Sequence, residues 1–224
     1  MFDENLKQKI RSDFDRLAQY DNEIWNHNNH YHSFLLKQLP SKGNIALDLG
    51  CGTGEFARLL ARRFERVIAL DLSPNAIEIA QQRSQDYRNI NYQVADILEY
   101  ELTSEQFDAI VSIATLHHLP VKNLLPVLKA ILKPGGKLVV LDLLKYESIK
   151  DFSSDLIAVP LNKLFLLKNR QIEKPLAAVE AMKEHLRTDR FLTLSQVKQI
   201  YSDSLGKAKI RKHLFWRYSV VWQK

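Results

Sequence analysis

One cysteine, Cys51, stands among 224 residues. That excludes an intrachain disulfide and a zinc site built on several thiolates. No apolar run approaches the ~20 residues that span a bilayer as a helix. The opening MFDENLKQKIRSDFDRL is charged throughout and does not read as a secretory signal. A reducing, cytoplasmic setting is expected. No H-x-x-x-H pair occurs, and His30 and His32 are too close for one helical face, so no metal is expected. Internal repeats and low-complexity stretches are also missing.

Apolar residues make up 46% and charged residues 26%, the balance of an ordinary folded domain. The formal charge of +6 is uneven: residues 160–224 hold 14 Lys/Arg against 5 Asp/Glu. This basic third suits an anionic substrate, a membrane surface or a nucleic acid, or is simply a solvated face. The sequence gives no firm sign of a nucleic-acid or membrane partner, and oligomeric state cannot be read from it.

Residues 4–38 read as helical, with Leu6, Ile10, Phe14, Leu17, Phe34 and Leu35 at helical spacing. The polar, aromatic stretch Asp21–His32 interrupts them. From Asn44 strands and helices alternate. Strands are expected at Ile45–Leu49, Val67–Leu70, Ile90–Val94, Phe107–Ile113 and Lys137–Leu143. Helices are expected at Glu55–Phe64, after Ser73-Pro74, and at Val121–Leu132. The KPGG tetrapeptide, Lys133–Gly136, turns the chain into the fifth strand. Such alternation argues for an α/β fold with a parallel sheet covered on both faces. Further on, an apolar helical segment with Pro160 inside lies within residues 148–170. A capping box at Thr193–Gln196 opens a helix, and residues 207–222 read as a closing strand pair.

The stretch ALDLGCGTGE, Ala46–Glu55, joins the first strand to the first core helix. Gly50, Gly52 and Gly54 permit a tight turn and close approach of a ligand to the backbone. Exposed amides at the helix start would favour negative groups. Asp71 ends the second strand, where a Rossmann-like fold places a carboxylate for ribose hydroxyls. The spacing is G-x-G-x-G rather than the dinucleotide fingerprint G-x-G-x-x-G. The acid at Asp48 suits the ammonium of an amino-acid tail better than a pyrophosphate.

DLGCGTGEFARLLA resembles motif I of the class I S-adenosylmethionine (SAM) dependent methyltransferases. VIALDLSPNAIEIA, VADILEY, FDAIVSIATLHHLP and LKPGGKLVVLD resemble that family's later motifs, in order. The closer likeness is to the branch related to ubiquinone and menaquinone biosynthesis. It extends to uncharacterised bacterial members through the opening His27–Pro40 and the ending His213–Trp222. The resemblance implies a Rossmann-like, seven-stranded, mostly parallel sheet in the order 3-2-1-4-5-7-6. It implies an N-terminal helical lid over residues 1–40 and a SAM-binding domain over 41–224, with a substrate-covering insertion around 148–190. SAM contacts are carried onto Asp48, Gly50, Cys51, Gly52 and Gly54, onto Asp71, Leu72, Asp96, Ile97 and Ala114, and onto Tyr31 of the lid. Asp71 would hold the ribose and Asp96 would face the adenine amino group. The Cys51 thiol is not expected to take part.

Methyl transfer needs an acceptor atom in line with the methyl group, and a hydroxyl or acidic-carbon acceptor gains from a general base. Histidine suits that task near neutral pH. His117 and His118 follow the fourth strand, and adjacent residues should point different ways, so one of them at most should face the pocket. They are catalytic candidates, with helix capping or packing as the alternative. In the lid, Tyr20, Trp25, His30, Tyr31 and His32 either wall the site or pack a loop between helices; His32 is the third catalytic candidate. IATL, Ile113–Leu116, stands where enzymes that methylate base amino groups carry NPPY or DPPY. The expected function is methyl transfer from SAM to a small molecule, apolar or anionic. A regulatory or nucleic-acid-associated SAM-binding protein remains open, as does an NAD-dependent oxidoreductase.

Overall fold

The computed structural model describes residues 4–101, 106–147, 155–168, 175–187 and 189–224, without the side chains of 155–158 and 166–168. Seven strands form one sheet: β1 Gly43–Leu49, β2 Phe64–Asp71, β3 Ile90–Val94, β4 Phe107–Ile113, β5 Leu132–Leu143, β6 Lys209–His213 and β7 Arg217–Gln223. Their order is β3-β2-β1-β4-β5-β7-β6, as the resemblance implies. Strands β1 to β5 run parallel, and β7 lies antiparallel between β5 and β6.

The central strands are buried on both faces, and their side chains sort by period two into two cores. Leu47, Ile110, Leu138 and Val140 face one core, while Ala46, Ala109, Val111, Val139 and Leu141 face the other. The first core is closed by α5, Val121–Ile131, and α8, Leu194–Leu205. In α5, Leu124, Leu125, Leu128 and Ile131 form one helical stripe. The second core is closed by α2, His32–Gln38, and α3, Glu55–Ala61, with Leu35 and Leu60 wholly buried. Each such leucine contributes about 1.5–3 kcal/mol through burial.

Three elements differ from expectation. The helix after the glycine loop stops at Ala61, and Phe64 already belongs to β2, where it fills the second core. The KPGG stretch lies inside β5 as an irregularity: Phe107 pairs with Leu132, but Ala109 pairs with Lys137. Gly136 is needed there, because a Cβ would stand 2.9 Å from the Lys133 carbonyl. A helix absent from the sequence reading, α7, spans Leu176–His185. Its outward face carries exposed Leu176, Val179 and Met182, which blurs the amphipathic pattern.

Outside the sheet, α1, Glu4–Ala18, packs on α7 and on α4, Pro74–Arg83. The apolar segment forms α6, Asp155–Lys168, with Pro160 inside it. Its Leu161 and Phe165 pack on the second core, while Leu164 is exposed. No described helix is long and apolar enough to cross a membrane.

The capping box at α8 is present as read. Gln196 donates its backbone N–H to Thr193 Oγ1 at 3.3 Å, and Thr193 donates its own to Gln196 Oε1 at 3.0 Å. Thr193→Ala should cost about 1 kcal/mol. Urea unfolding should show a lower midpoint at unchanged slope.

Candidate active site

The glycine loop lies between β1 and α3, at the carboxyl end of the sheet. Gly50, Gly52 and Gly54 have φ of +73°, +52° and +83°, a region that favours glycine. The loop is tied inward. Gly50 and Cys51 donate their amides to the Leu70 carbonyl at 2.8 and 3.0 Å, and Gly54 donates to the Cys51 carbonyl at 3.0 Å. Gly52 donates to Asp71 Oδ2 at 2.8 Å. These four loop amides are therefore spent within the protein. Cys51 is buried, and burial pushes its thiol well above the ordinary range.

Asp71 also accepts the Ser73 amide on Oδ1 at 2.9 Å. Burial raises its pKa, against the backbone bonds that lower it. Its carboxylate is fixed in place yet keeps lone pairs for further donors. Leu72 beside it is half-buried. Beneath the loop, Asp48 is 1% exposed, and its Oδ2 finds no hydrogen-bond partner among the described residues. Burial first, and Asp71 second, push its pKa up to about 7. A buried carboxylate in that state lacks a cationic or donor partner.

Past β3, Asp96 accepts Lys7 Nζ at 2.9 Å, so α1 reaches the residue expected beside adenine. Ile97 is buried in the first core. Past β4, Ala114 adopts φ +52°, an unusual conformation for a residue with a Cβ. A Cβ on Gly50 would stand 2.1 Å from Thr115 Oγ1, so the glycine loop and the segment after β4 touch directly. The crevice between β1 and β4 is where the strand order reverses, the usual ligand position in open α/β sheets.

His117 and His118 form a short 3-10 turn with Leu116. Their rings do not diverge, contrary to expectation. The centroids are 3.9 Å apart, and both imidazoles approach Asp189. His117 Nδ1 lies 2.6 Å from Asp142 Oδ1 of β5, and the His117 amide donates to Asp142 Oδ2 at 2.9 Å. Burial opposes protonation of His117, but Asp142 prevails and holds its pKa above the ordinary value. His118 is pushed down to about 2 by burial, His117 and His185. Phe14 of α1 covers His118 and His185, with ring centroids 5.3 and 4.7 Å away.

The aromatic lid stretch packs mostly on itself and its neighbours. Trp25 stacks on Phe165 at 4.8 Å, and His27 on Phe215 at 4.8 Å. Tyr31 donates its hydroxyl to the Leu214 carbonyl at 3.0 Å, and Tyr20 is exposed. His30 packs edge-on to Tyr31 and Phe215. His32 alone of the five reaches the loop's end, with Nδ1 3.7 Å from Glu55 Oε1 and its ring against Phe56. Burial lowers His32 to about 4 and raises Glu55 to about 7. The stretch is latched over the loop by Asp21 on Thr53 and by Glu23 on Arg58 and Arg83.

Sequence reasoning missed Lys7, Asp142, His185 and Asp189. Asp142 was within reach, because it is the one acid in the apolar run of β5, one residue before the strand's end. The others carry no local signal.

Residues 47–140 match the family described as a methyltransferase domain, so the resemblance read from the motifs is borne out. An uncharacterised methyltransferase of Mycobacterium tuberculosis is 39% identical over 117 residues, covering 52% of this chain and 59% of that protein. A ubiquinone biosynthesis O-methyltransferase of Coxiella burnetii is 34% identical over 107 residues, covering 47% of this chain and 46% of that protein. This chain thus spans about half the length of the curated relatives it matches. The N-methyltransferase NodS of Bradyrhizobium japonicum, solved with S-adenosylhomocysteine, superposes with a TM-score of 0.65 over 98% of each chain at 19% identity. The fold is that of the Rossmann-like class I methyltransferases.

The two glycines give a contrast. Gly50→Ala must displace Thr115 as well as hold a positive φ, and should cost about 2–4 kcal/mol. Gly52→Ala meets no atom within 4 Å and should cost about 1–2 kcal/mol, the φ penalty alone. Equal midpoint shifts for the two in urea would contradict the packing described.

Proposed function

We propose that this chain is a SAM-dependent methyltransferase acting on a small-molecule acceptor. The observation that carries the proposal is Asp48, a buried carboxylate with an unpartnered oxygen beneath the glycine loop. The residues fit SAM: Asp48 suits the ammonium of the amino-acid tail, directly or through water. Asp71 suits the ribose hydroxyls and Asp96 the adenine amino group. Gly52 has open space where a Cβ would stand, so a ligand can approach its backbone. The matched domain and the relatives' names support the same reading. A nicotinamide dinucleotide fits less well, since its pyrophosphate would meet Asp48 and a loop with spent amides. The single buried thiol supports a cytoplasmic site of action.

SAM, when bound, supplies a methyl group on a cationic sulfur. The chain's task is then to aim the acceptor and manage its proton. His117 is the acceptor-side group in this proposal. Asp142 orients its imidazole through Nδ1, and Nε2, 4.0 Å from Asp189 Oδ2, is the atom that an acceptor hydroxyl entering beside Asp189 would meet. His118, held neutral, and His32, held neutral beside Glu55, line the site rather than take protons. The segment 1–40 serves as the lid, with Lys7, Asp21 and Glu23 as its latches.

Two outcomes test this. The SAM ammonium favours ionised Asp48, whose pKa in the free protein is about 7. Binding below that pH must expel a proton, so affinity should rise as pH climbs from 5.5 to 7, by up to about tenfold per unit. Calorimetry in buffers of different ionisation enthalpy should show proton release, and Asp48→Asn should abolish both effects. SAM affinity that is flat with pH in the wild type would remove Asp48 from the site. NAD in place of SAM should give no heat.

Once an acceptor hydroxyl is identified, His117→Ala should lower turnover by about 10²–10⁴-fold. SAM affinity should stay within a few-fold, and the loss should shrink at high pH, where the acceptor ionises unaided. Full activity of the variant across pH 6–9 would make His117 structural.

A further inference from the structure

Four side chains from three separate stretches converge where no single motif joins them. They are His117 and His118 after β4, His185 at the end of α7, and Asp189 four residues later. Their side chains are 5%, 5%, 6% and 2% exposed. Asp189 Oδ1 stands 3.6 Å from His118 Nδ1 and 3.5 Å from His185 Nε2, and Asp189 Oδ2 stands 4.0 Å from His117 Nε2. Asp189 Oδ1 finds no hydrogen-bond partner among the described residues, and neither does His118 Nε2. One donor atom each from His117, His118 and Asp189 falls within 4.8 Å of the other two.

These separations suit another arrangement. Donors around a tetrahedral Zn²⁺ sit ~2.0–2.1 Å from the metal and therefore roughly 3.3–3.4 Å from one another. The imidazole nitrogens stand 3.5–4.0 Å from the Asp189 oxygens, and the three donors would draw in from within 4.8 Å of one another to reach that spacing. The outer contacts fit as well. His117 turns Nδ1 to Asp142 at 2.6 Å, which leaves Nε2 pointing inward, the usual carboxylate–histidine–metal relay. His185 Nδ1 lies 3.8 Å from Asp13 Oδ2. Of the three buried carboxylates around these imidazoles, Asp13 is met by Lys9 at 3.0 Å and Arg16 at 3.6 Å and Asp142 by His117 at 2.6 Å, whereas Asp189 faces only the imidazoles among the described residues. A divalent cation would give Asp189 a positive partner of its own.

We propose that His117 Nε2, His118 Nδ1 and Asp189 bind one divalent cation of the zinc class, with His185 as a neighbouring fourth donor. The nitrogen-rich, single-carboxylate set favours Zn²⁺, Co²⁺ or Fe²⁺ over Ca²⁺ and Mg²⁺. The cation joins the end of α7 to the end of β4 beneath Phe14. It also competes with the base role of His117, since both use Nε2. Metal content therefore decides what His117 does in the acceptor site.

The test needs no SAM and no acceptor, so its failure is distinct from failure of the methyltransferase reading. Full-length protein is stripped with a chelator, dialysed, and titrated with Co²⁺. One equivalent should produce the visible absorption of a tetrahedral nitrogen–oxygen centre, and Zn²⁺ should displace it. Added Zn²⁺ should raise the melting temperature. Asp189→Ala and His118→Ala should each weaken binding by at least tenfold. If either variant fails to fold, His117→Gln provides the same reading. A folded wild type that shows neither absorption nor a Zn²⁺-dependent melting shift at 100 µM metal would overturn the proposal. So would variants that bind Co²⁺ as tightly as the wild type.

Discussion

Two consecutive residues at the end of β2 hold the site together. The Leu70 carbonyl takes the amides of Gly50 and Cys51, and the Asp71 carboxylate takes those of Gly52 and Ser73. The strand end therefore sets the shape of a loop that belongs to a different strand–helix unit. Ser73 continues the chain of bonds: its hydroxyl accepts from Ala76 to cap α4 and donates to Asp15 of α1 at 2.6 Å. A hydrogen bond to a charged group contributes about 1.5–3 kcal/mol. Loop, helix cap and N-terminal helix thus share one anchored network. Asp71 cannot serve a ligand without also serving the fold.

Among the described residues, buried polar atoms without a hydrogen-bond partner include Asp48 Oδ2 under the loop, His118 Nε2 and Asp189 Oδ1 behind His117, and the Tyr201 hydroxyl in the first core. Elsewhere among the described residues, charge is mostly paired or exposed, as with Lys133 on Asp108 at 3.0 Å. Unpaired buried charge is costly, by about 1–3 kcal/mol or more per group. Asp48 and the His118–Asp189 pair lie at the carboxyl end of the sheet, the end at which open α/β sheets bind ligands.

The central part of the chain was legible because each strand is a short apolar run between turn residues. Ile45–Leu49 followed by three spaced glycines could hardly be read otherwise. Asp71 was legible as a strand-end acid, whereas Asp96 was singled out only through the family resemblance. What the glycines did not reveal was which amides would be consumed, since φ follows from residue type but hydrogen-bond partners follow from the neighbouring strand. His185 and Asp189 were invisible because they lie about 70 residues beyond His117 and meet it only through the packing of α7. The convergence of His117 and His118 was misjudged for a related reason. A 3-10 turn with Asp142 gripping the first residue does not spread neighbours as a strand would.

Helix α1 touches both ends of the crevice. Lys7 holds Asp96 on the side of the second and third strands, and Phe14 caps His118 on the side of the fourth and fifth. Fifteen residues of helix span about 22 Å and move as a rigid rod. The two ends therefore cannot open independently. Any displacement of the rod that frees Asp96 also disturbs the cover over His118.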